Sequence, residues 1–205
     1  LDEYREGWRA TMNEEEYRLL QQGCASVATW DDHEILNNWD RESIDEAQFQ
    51  AGLTAFFEQL PIRRNKDSDI GLWRSLKWGQ TMEMFVLDCR GERYPSRGEY
   101  LSPTQLQWLI DGVCKSTSKW KVIVNSVPIT NMPPVFDVEV AIRDRWEGFD
   151  VQRNQLIKAF TDCGVEGVLF LGGDLHMSAF TKVEPEGPGS QLLELIVGPT
   201  GQRPN

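Results

Sequence analysis

Strand-like and helix-like segments alternate along this 205-residue chain, and the alternation predicts an α/β fold. Three observations carry the expectation. Short apolar runs at 24–29, 72–78, 82–87, 121–127, 168–171 and 192–197 have the length and residue types of strands. Segments with helical spacing and legible caps lie between them. Polar clusters at 30–38, 88–93 and 172–178 directly follow strand-like runs, where open α/β sheets hold their ligands.

The elements follow in order. Residues 1–22 read as one helix, because Tyr4, Trp8, Met12 and Leu19 or Leu20 recur near helical spacing and Gly23 suits a C-terminal cap. The run 24–29 reads as a short buried strand. Ser43 with Glu46 three residues on forms a capping box for a second helix. Its apolar face would be Ala47, Leu53, Phe56, Phe57 and Leu60, and Pro61 stops it. Residues 63–70 are polar and read as a loop. Gly79-Gln80 between two strand-like runs predicts a hairpin. Ser102-Pro103-Thr104-Gln105 starts a helix that runs to about Lys115: an N-cap serine, proline at the first helical position, glutamine at the third. Pro128 ends the strand 121–127. Residues 128–149, with Pro133-Pro134, read as irregular. A last helix covers 151–163 with Gly164 as its cap, and a Gly/Pro-rich tail follows 197. With no internal repeat, the whole of 1–205 reads as a single domain.

Composition excludes several classes. Forty per cent hydrophobic residues and eight tryptophans belong to a folded globule. A net charge of −11 argues against non-specific nucleic-acid binding, which needs Lys and Arg on phosphates. It leaves room for a phosphorylated small substrate, because a metal can supply the positive charge locally. No run is long and apolar enough to span a membrane. Cys24, Cys89, Cys114 and Cys163 form no C-x-x-C pair and read as buried free thiols; two long-range disulfides stay open for an exported protein. No signal peptide is visible, and a chain that begins without Met fits processing or truncation.

The two histidines, His33 and His176, both sit in acid-rich turns after strand-like runs. Asp31, Asp32, Glu34, Asn37, Asn38 and Asp174 offer oxygen donors, which favour calcium, magnesium or manganese. Imidazole donors shift the preference towards iron, manganese or zinc. A mixed pair of metals suits phosphoryl chemistry, and a histidine near the leaving oxygen can act as general acid. The plainer alternative for 30–38 is a loop of turn formers and caps. Gly173-Asp174-Leu175-His176 alone is a weak signal, and Arg90 and Arg93 read by default as solvated or salt-bridged to the surrounding acids, with a phosphate clamp as the functional alternative.

Together these segments resemble the PhoD-like alkaline phosphatases, a branch of the calcineurin-like metallophosphatases. Trp30-Asp31-Asp32-His33-Glu34 with Asn37-Asn38 is similar to the branch signature. Leu87-Asp88-Cys89-Arg90, then Trp108-Leu109 and Trp120-Lys121-Val122, then Trp146-Glu147-Gly148-Phe149 and Gly172-Gly173-Asp174-Leu175-His176 match in the same order. The resemblance covers nearly all of residues 4–198. It implies a sandwich of two mixed β-sheets flanked by helices, and a metal centre of iron together with calcium that hydrolyses phosphomonoesters or phosphodiesters. It implies Asp32, Asn38, Asp174 and His176 as metal ligands, with Asp32 and His33 in catalysis and His33 near the leaving group. Arg90 would contact the substrate phosphate. The family's first ligands lie on N-terminal strands that nothing before residue 24 supplies, so the domain reads as lacking those strands, and a second chain, or further residues, would complete it. Bacterial members are commonly exported, which implies a periplasmic or secreted location. Two alternatives follow from the missing ligands and the open substrate: a metal-binding but catalytically incomplete module, and another metal-assisted hydrolase acting on nucleotides or phospholipids.

Overall fold

The computed structural model describes residues 1–132 and 139–198. Its centre is one mixed sheet of six strands: β1 (Arg74–Trp78), β2 (Met82–Val86), β3 (Trp120–Val124), β4 (Val168–Gly172), β5 (Ala179–Lys182) and β6 (Leu193–Ile196). The spatial order is β1-β2-β3-β4-β6-β5. Strands β2, β3, β4 and β6 run parallel, while β1 and β5 close the two edges antiparallel. Helices α1 (Asp2–Asn13), α2 (Glu15–Gly23), α3 (Glu46–Gln59), α4 (Pro103–Lys115), α5 (Glu139–Asp144) and α6 (Asp150–Asp162) complete the architecture. The α/β class and the helix-flanked mixed sheet agree with the expectation. Of the two sheets expected, the described residues form one.

Alternation along the strands sorts the two faces. Phe85, Ile123 and Phe170 stand side by side in register and pack with Leu109 and Val113 of α4 and Leu156, Ile157 and Phe160 of α6. On the opposite face Leu76, Met84, Val122, Leu169 and Leu193 form one cross-strand row through five strands. That face is partly open: Trp78, Trp120 and Phe180 on it are 48%, 40% and 69% exposed. A second cluster, built from Trp30, Trp39, Phe49, Leu53 and Phe56, joins α3 to the turn after residue 30.

Several local expectations are corrected. The helix expected over 1–22 is two helices, broken at Glu14 in an extended conformation (ψ 134°), where Glu15 and Glu16 start the second against its positive end. The run 24–29 is not a strand. Its carbonyls and those beside it meet side chains instead of a ladder: Arg74 Nη2 donates to Ala28 O at 2.9 Å and Ser126 Oγ to Trp30 O at 2.6 Å. The cap of α3 is Asp45, whose carboxylate accepts from Ala47 N and Gln48 N, while Ser43 accepts from Asp40 N. Ala47 is exposed, and Phe49 takes a core place instead. The hairpin at Gly79-Gln80 and the Ser102 cap on Gln105 N are as expected. The segment 128–149 contains α5 and a short 3-10 turn at Trp146–Phe149; Pro133-Pro134 and the tail from 199 lie outside the described residues.

The thiols also divide. Cys89 is buried and free and Cys24 is exposed and free, but Cys114 and Cys163 form a disulfide. It ties the C-terminal ends of α4 and α6, which are 49 residues apart in sequence. A bond closing a loop of that length restricts the unfolded chain, so Cys163→Ser should lower the unfolding free energy by about 2–4 kcal/mol in urea melts. Equal midpoints with and without reductant would remove the bond from this account.

Candidate functional site

The parallel strands β2, β3, β4 and β6 all end at the same edge, and the loop 29–39 lies across it. Thr29 Oγ1 donates to Leu87 O at 2.5 Å, Ser126 Oγ reaches Trp30 O, and Trp30 Nε1 donates to Asp88 Oδ1 at 2.7 Å. The three polar clusters read from the sequence therefore meet at one end of the sheet. The packing is close: a Cβ at Gly91 would stand 2.7 Å from Asp88 Oδ2 and 2.9 Å from the Trp30 ring, so only glycine fits.

Arg90 holds this edge together. It is 0% exposed. Its Nε donates to Asp31 Oδ1 at 2.8 Å, its Nη2 to Asp144 Oδ2 at 2.7 Å, and its Nη1 to Asp144 Oδ1 and to Trp39 O. Arg93 adds a bond to Asp144 Oδ1 at 2.9 Å. Burial alone would lower the Arg90 pKa, but the Asp31 and Asp144 carboxylates more than reverse it, so the guanidinium stays charged. Asp144 is likewise held below the usual carboxylate range, because Arg90 and Arg93 outweigh its burial. Arg90 thus differs from the substrate contact expected of it: its donors face carboxylates of this chain rather than the open edge. Asp144 lies in a stretch that the sequence marks as irregular; its place just ahead of the Trp146-Glu147-Gly148-Phe149 match is the signal that points to it.

The remaining predicted residues stand as follows. Asp32 is buried and secures its own turn, accepting from His33 N at 2.8 Å and Asn38 N at 3.0 Å. The His33 side chain is 75% exposed, with Nε2 3.8 Å from Asp32 Oδ2. Asn38 is exposed. Asp174 stands exposed at the rim. Its pKa is pushed up to about 6, first by the protein crowding its carboxylate and then by the nearby Asp31 and Asp144 charges. Asp32 adds in the same direction, so Asp31, Asp32, Asp144, Arg90 and Asp174 share one electrostatic neighbourhood. His176 is half-buried, and its Nδ1 is buried without a hydrogen-bond partner among the described residues. Asp88, at the end of β2, is fully buried and raised to about 6 by that burial and by Glu92; its Oδ2 has no partner either.

Backbone conformation marks the same residues. Among the described residues, Asn38, Asp174 and His176 are the non-glycine residues with positive φ, at 53°, 66° and 52°. Such backbones are costly for most side chains and gather at functional sites. An unpartnered imidazole nitrogen two residues along the turn from a carboxylate with a raised pKa is donor chemistry suited to a cation. Yet among the described residues no group of three or more His, Cys, Asp or Glu side chains is gathered to hold a metal ion. Asp174 and His176 offer oxygen and nitrogen donors of the right chemistry without a closed donor set among the described residues.

A mixed sheet with carboxylates and an imidazole at the ends of its parallel strands defines an α/β protein with its polar side chains gathered at one edge. The sequence profile of the PhoD-like phosphatases matches residues 1–204, and the chain belongs to that family. Alkaline phosphatase D of Bacillus subtilis (strain 168) is 25% identical over 211 residues, a match that spans 87% of this chain and 35% of that protein. A solved structure titled "Structure of PhoD" superposes with a TM-score of 0.70 at 23% identity, over 84% of this chain and 39% of that one, and shows the shared fold. The chain therefore spans little more than a third of the length of these relatives.

Proposed function

We propose that this chain carries part of the active site of a metal-dependent phosphatase or phosphodiesterase. The observation that carries the reading is the Asp174-Leu175-His176 turn at the end of β4. Both polar residues there have left-handed backbones, one with an unpartnered nitrogen and the other with a raised carboxylate. Asp174 and His176, with Asp32 and Asn38 across the edge, are the residues that would hold metal, and iron with calcium is the set proposed from the family likeness. A bound metal supplies an activated water and positive charge for the phosphoryl oxygens. Arg90 acts in this reading as a positioning residue that fixes Asp31 and Asp144. His33, exposed beside Asp32, is the proton donor to the leaving oxygen. The substrate is a phosphate ester. The Cys114–Cys163 disulfide supports a periplasmic or secreted location, where such bonds persist. The open apolar face of the sheet supports completion of the domain by a second chain.

The test is metal content by mass spectrometry alongside turnover of p-nitrophenyl phosphate and its bis-ester, with iron and calcium added. Bound metal with turnover is expected. Metal without turnover on any ester would favour the other reading, a binding module that lacks a full catalytic set; the incomplete donor group among the described residues is what speaks for it. For His33 the expected result is selective. His33→Ala should cost about 10²–10⁴-fold in kcat/KM on alkyl phosphates, whose leaving oxygen needs the proton, and far less on p-nitrophenyl phosphate. An equal loss on both would assign His33 another role.

A further inference from the structure

We propose that the cleft between α1, α2 and the 31–34 turn is a subsite for a cationic alcohol, one bearing an amine or quaternary ammonium group. The inference rests on the phosphate-ester reading above and extends it to the alcohol half of the substrate. A cavity of about 470 Å³ opens here, lined by Tyr4, Trp8 and Tyr17 together with Glu3, Glu34 and His33. Aromatic faces combined with carboxylates are the chemistry that recognises a bulky, weakly hydrated cation. No lysine or arginine lines the cleft among the described residues. Of the two arginines on α1, Arg5 is engaged by Glu58 and Asp2 at 2.7 and 3.1 Å, and Arg9, whose charge acts on Glu58, does not line the cleft.

The walls are set before any ligand arrives. Tyr4 Oη donates to Ile35 O at 3.0 Å and accepts from Gln48 Nε2 at 3.0 Å. The Trp8 ring meets the Phe56 ring edge-on at 5.9 Å. Glu34 accepts from Asp31 N at 2.9 Å. Gly7, between the Tyr4 and Trp8 positions, has no atom within 4 Å of where a Cβ would stand, so the helix surface there is bare. Aromatic residues at helical spacing ordinarily serve only as core. Tyr4, Trp8 and Tyr17 are half-buried, however, and turn one side to a cavity that also contains the proton donor proposed above. An ester whose alcohol occupies this cleft would present its ester oxygen on the His33 side.

The test is isothermal titration calorimetry of the full chain with choline and with its uncharged carbon isostere, 3,3-dimethyl-1-butanol. Choline is expected to bind at least about tenfold more tightly than the isostere, the difference that a cation–π and carboxylate site produces. Glu3→Gln and Tyr17→Leu should each weaken choline, with circular dichroism checking that the helices persist; Trp8→Leu should weaken it most. Equal binding of the two alcohols, or choline affinity unchanged in both Glu3→Gln and Tyr17→Leu, would overturn the proposal. Glycerophosphocholine in solution and phosphatidylcholine vesicles in a sedimentation assay then separate a soluble ester from a lipid headgroup as the source. The binding readout needs neither metal nor turnover. Choline binding without hydrolysis of any ester would sink the phosphatase reading alone, and hydrolysis without choline preference would sink this subsite alone.

Discussion

Arg90→Met should destabilise the protein by about 3–5 kcal/mol, as removal of one partner from a buried ion pair does. The guanidinium links three segments that are far apart in sequence: Asp31 in the turn after Trp30, its own position after β2, and Asp144 at the end of α5. Methionine keeps the apolar stem but leaves two carboxylates crowded without their counter-charge, with Arg93 alone on Asp144. A lysine would not restore the arrangement, because an ammonium cannot match the two-pronged contact with Asp144. Urea melts at neutral pH measure the loss. The double variant Arg90→Met with Asp144→Leu should recover part of it, since both charges then leave together. Acid gives a second reading. Asp144 has a folded pKa below its unfolded one, so its contribution is present above the ordinary carboxylate range and is lost as pH falls through the lowered value. A substrate-binding arginine would behave differently: its removal would raise KM and leave the melt alone. That result would return Arg90 to the role first expected of it.

The contrast between Arg90 and its neighbours explains what the sequence could reveal. Local rules worked where the physics is local. The Ser102 cap, Pro103 at the helix start and the Gly79-Gln80 hairpin each depend on a few adjacent residues, and each is found. Chain order was also enough to put the 88–93 and 172–178 clusters at one end of a parallel sheet, whereas 30–38 follows no strand and reaches that end through the side chains of Thr29, Trp30 and Ser126. Tertiary pairing was out of reach. Nothing in the spacing of Cys114 and Cys163 foretells that α4 and α6 pack side by side, and nothing in Leu-Asp-Cys-Arg tells whether its arginine faces water or Asp144. Edge strand β5 was missed because Ala179–Lys182 is four residues long with half of them exposed, too short for a period-two signal. The run 24–29 erred the other way: small apolar residues suggested a strand, but side chains of Arg74 and Ser126 take the carbonyls of Ala28 and Trp30.

Asp174→Asn should move two measurements in opposite directions. Turnover should fall at least about 100-fold, because the metal proposed at the strand ends would lose a charged ligand and several kcal/mol of transition-state stabilisation with it. Stability without metal should rise. The folded pKa of Asp174 is about 6 against an ordinary 3.8, so as pH climbs between these values the unfolded chain ionises first. Stability tied to this group is therefore highest below the lower value, falls through the window, and stays reduced above it. Asparagine cannot ionise and tolerates the left-handed backbone at φ 66° as well as aspartate does. Because Asp174 is exposed at the rim, solvent screening trims the gain to the order of 1 kcal/mol at pH 8. Thermal melts from pH 4 to 8 should show the wild-type advantage of acid disappearing in the variant. Added metal should then raise the wild-type midpoint by mass action and leave the variant behind, closing the gap that the mutation opened. If the variant were instead less stable at pH 8 and equally active, the crowding of Asp174 with Asp31 and Asp144 would be an incidental feature of the turn. The opposed outcome would mean that these carboxylates are kept together, at a cost to the fold, for a cation that relieves their repulsion.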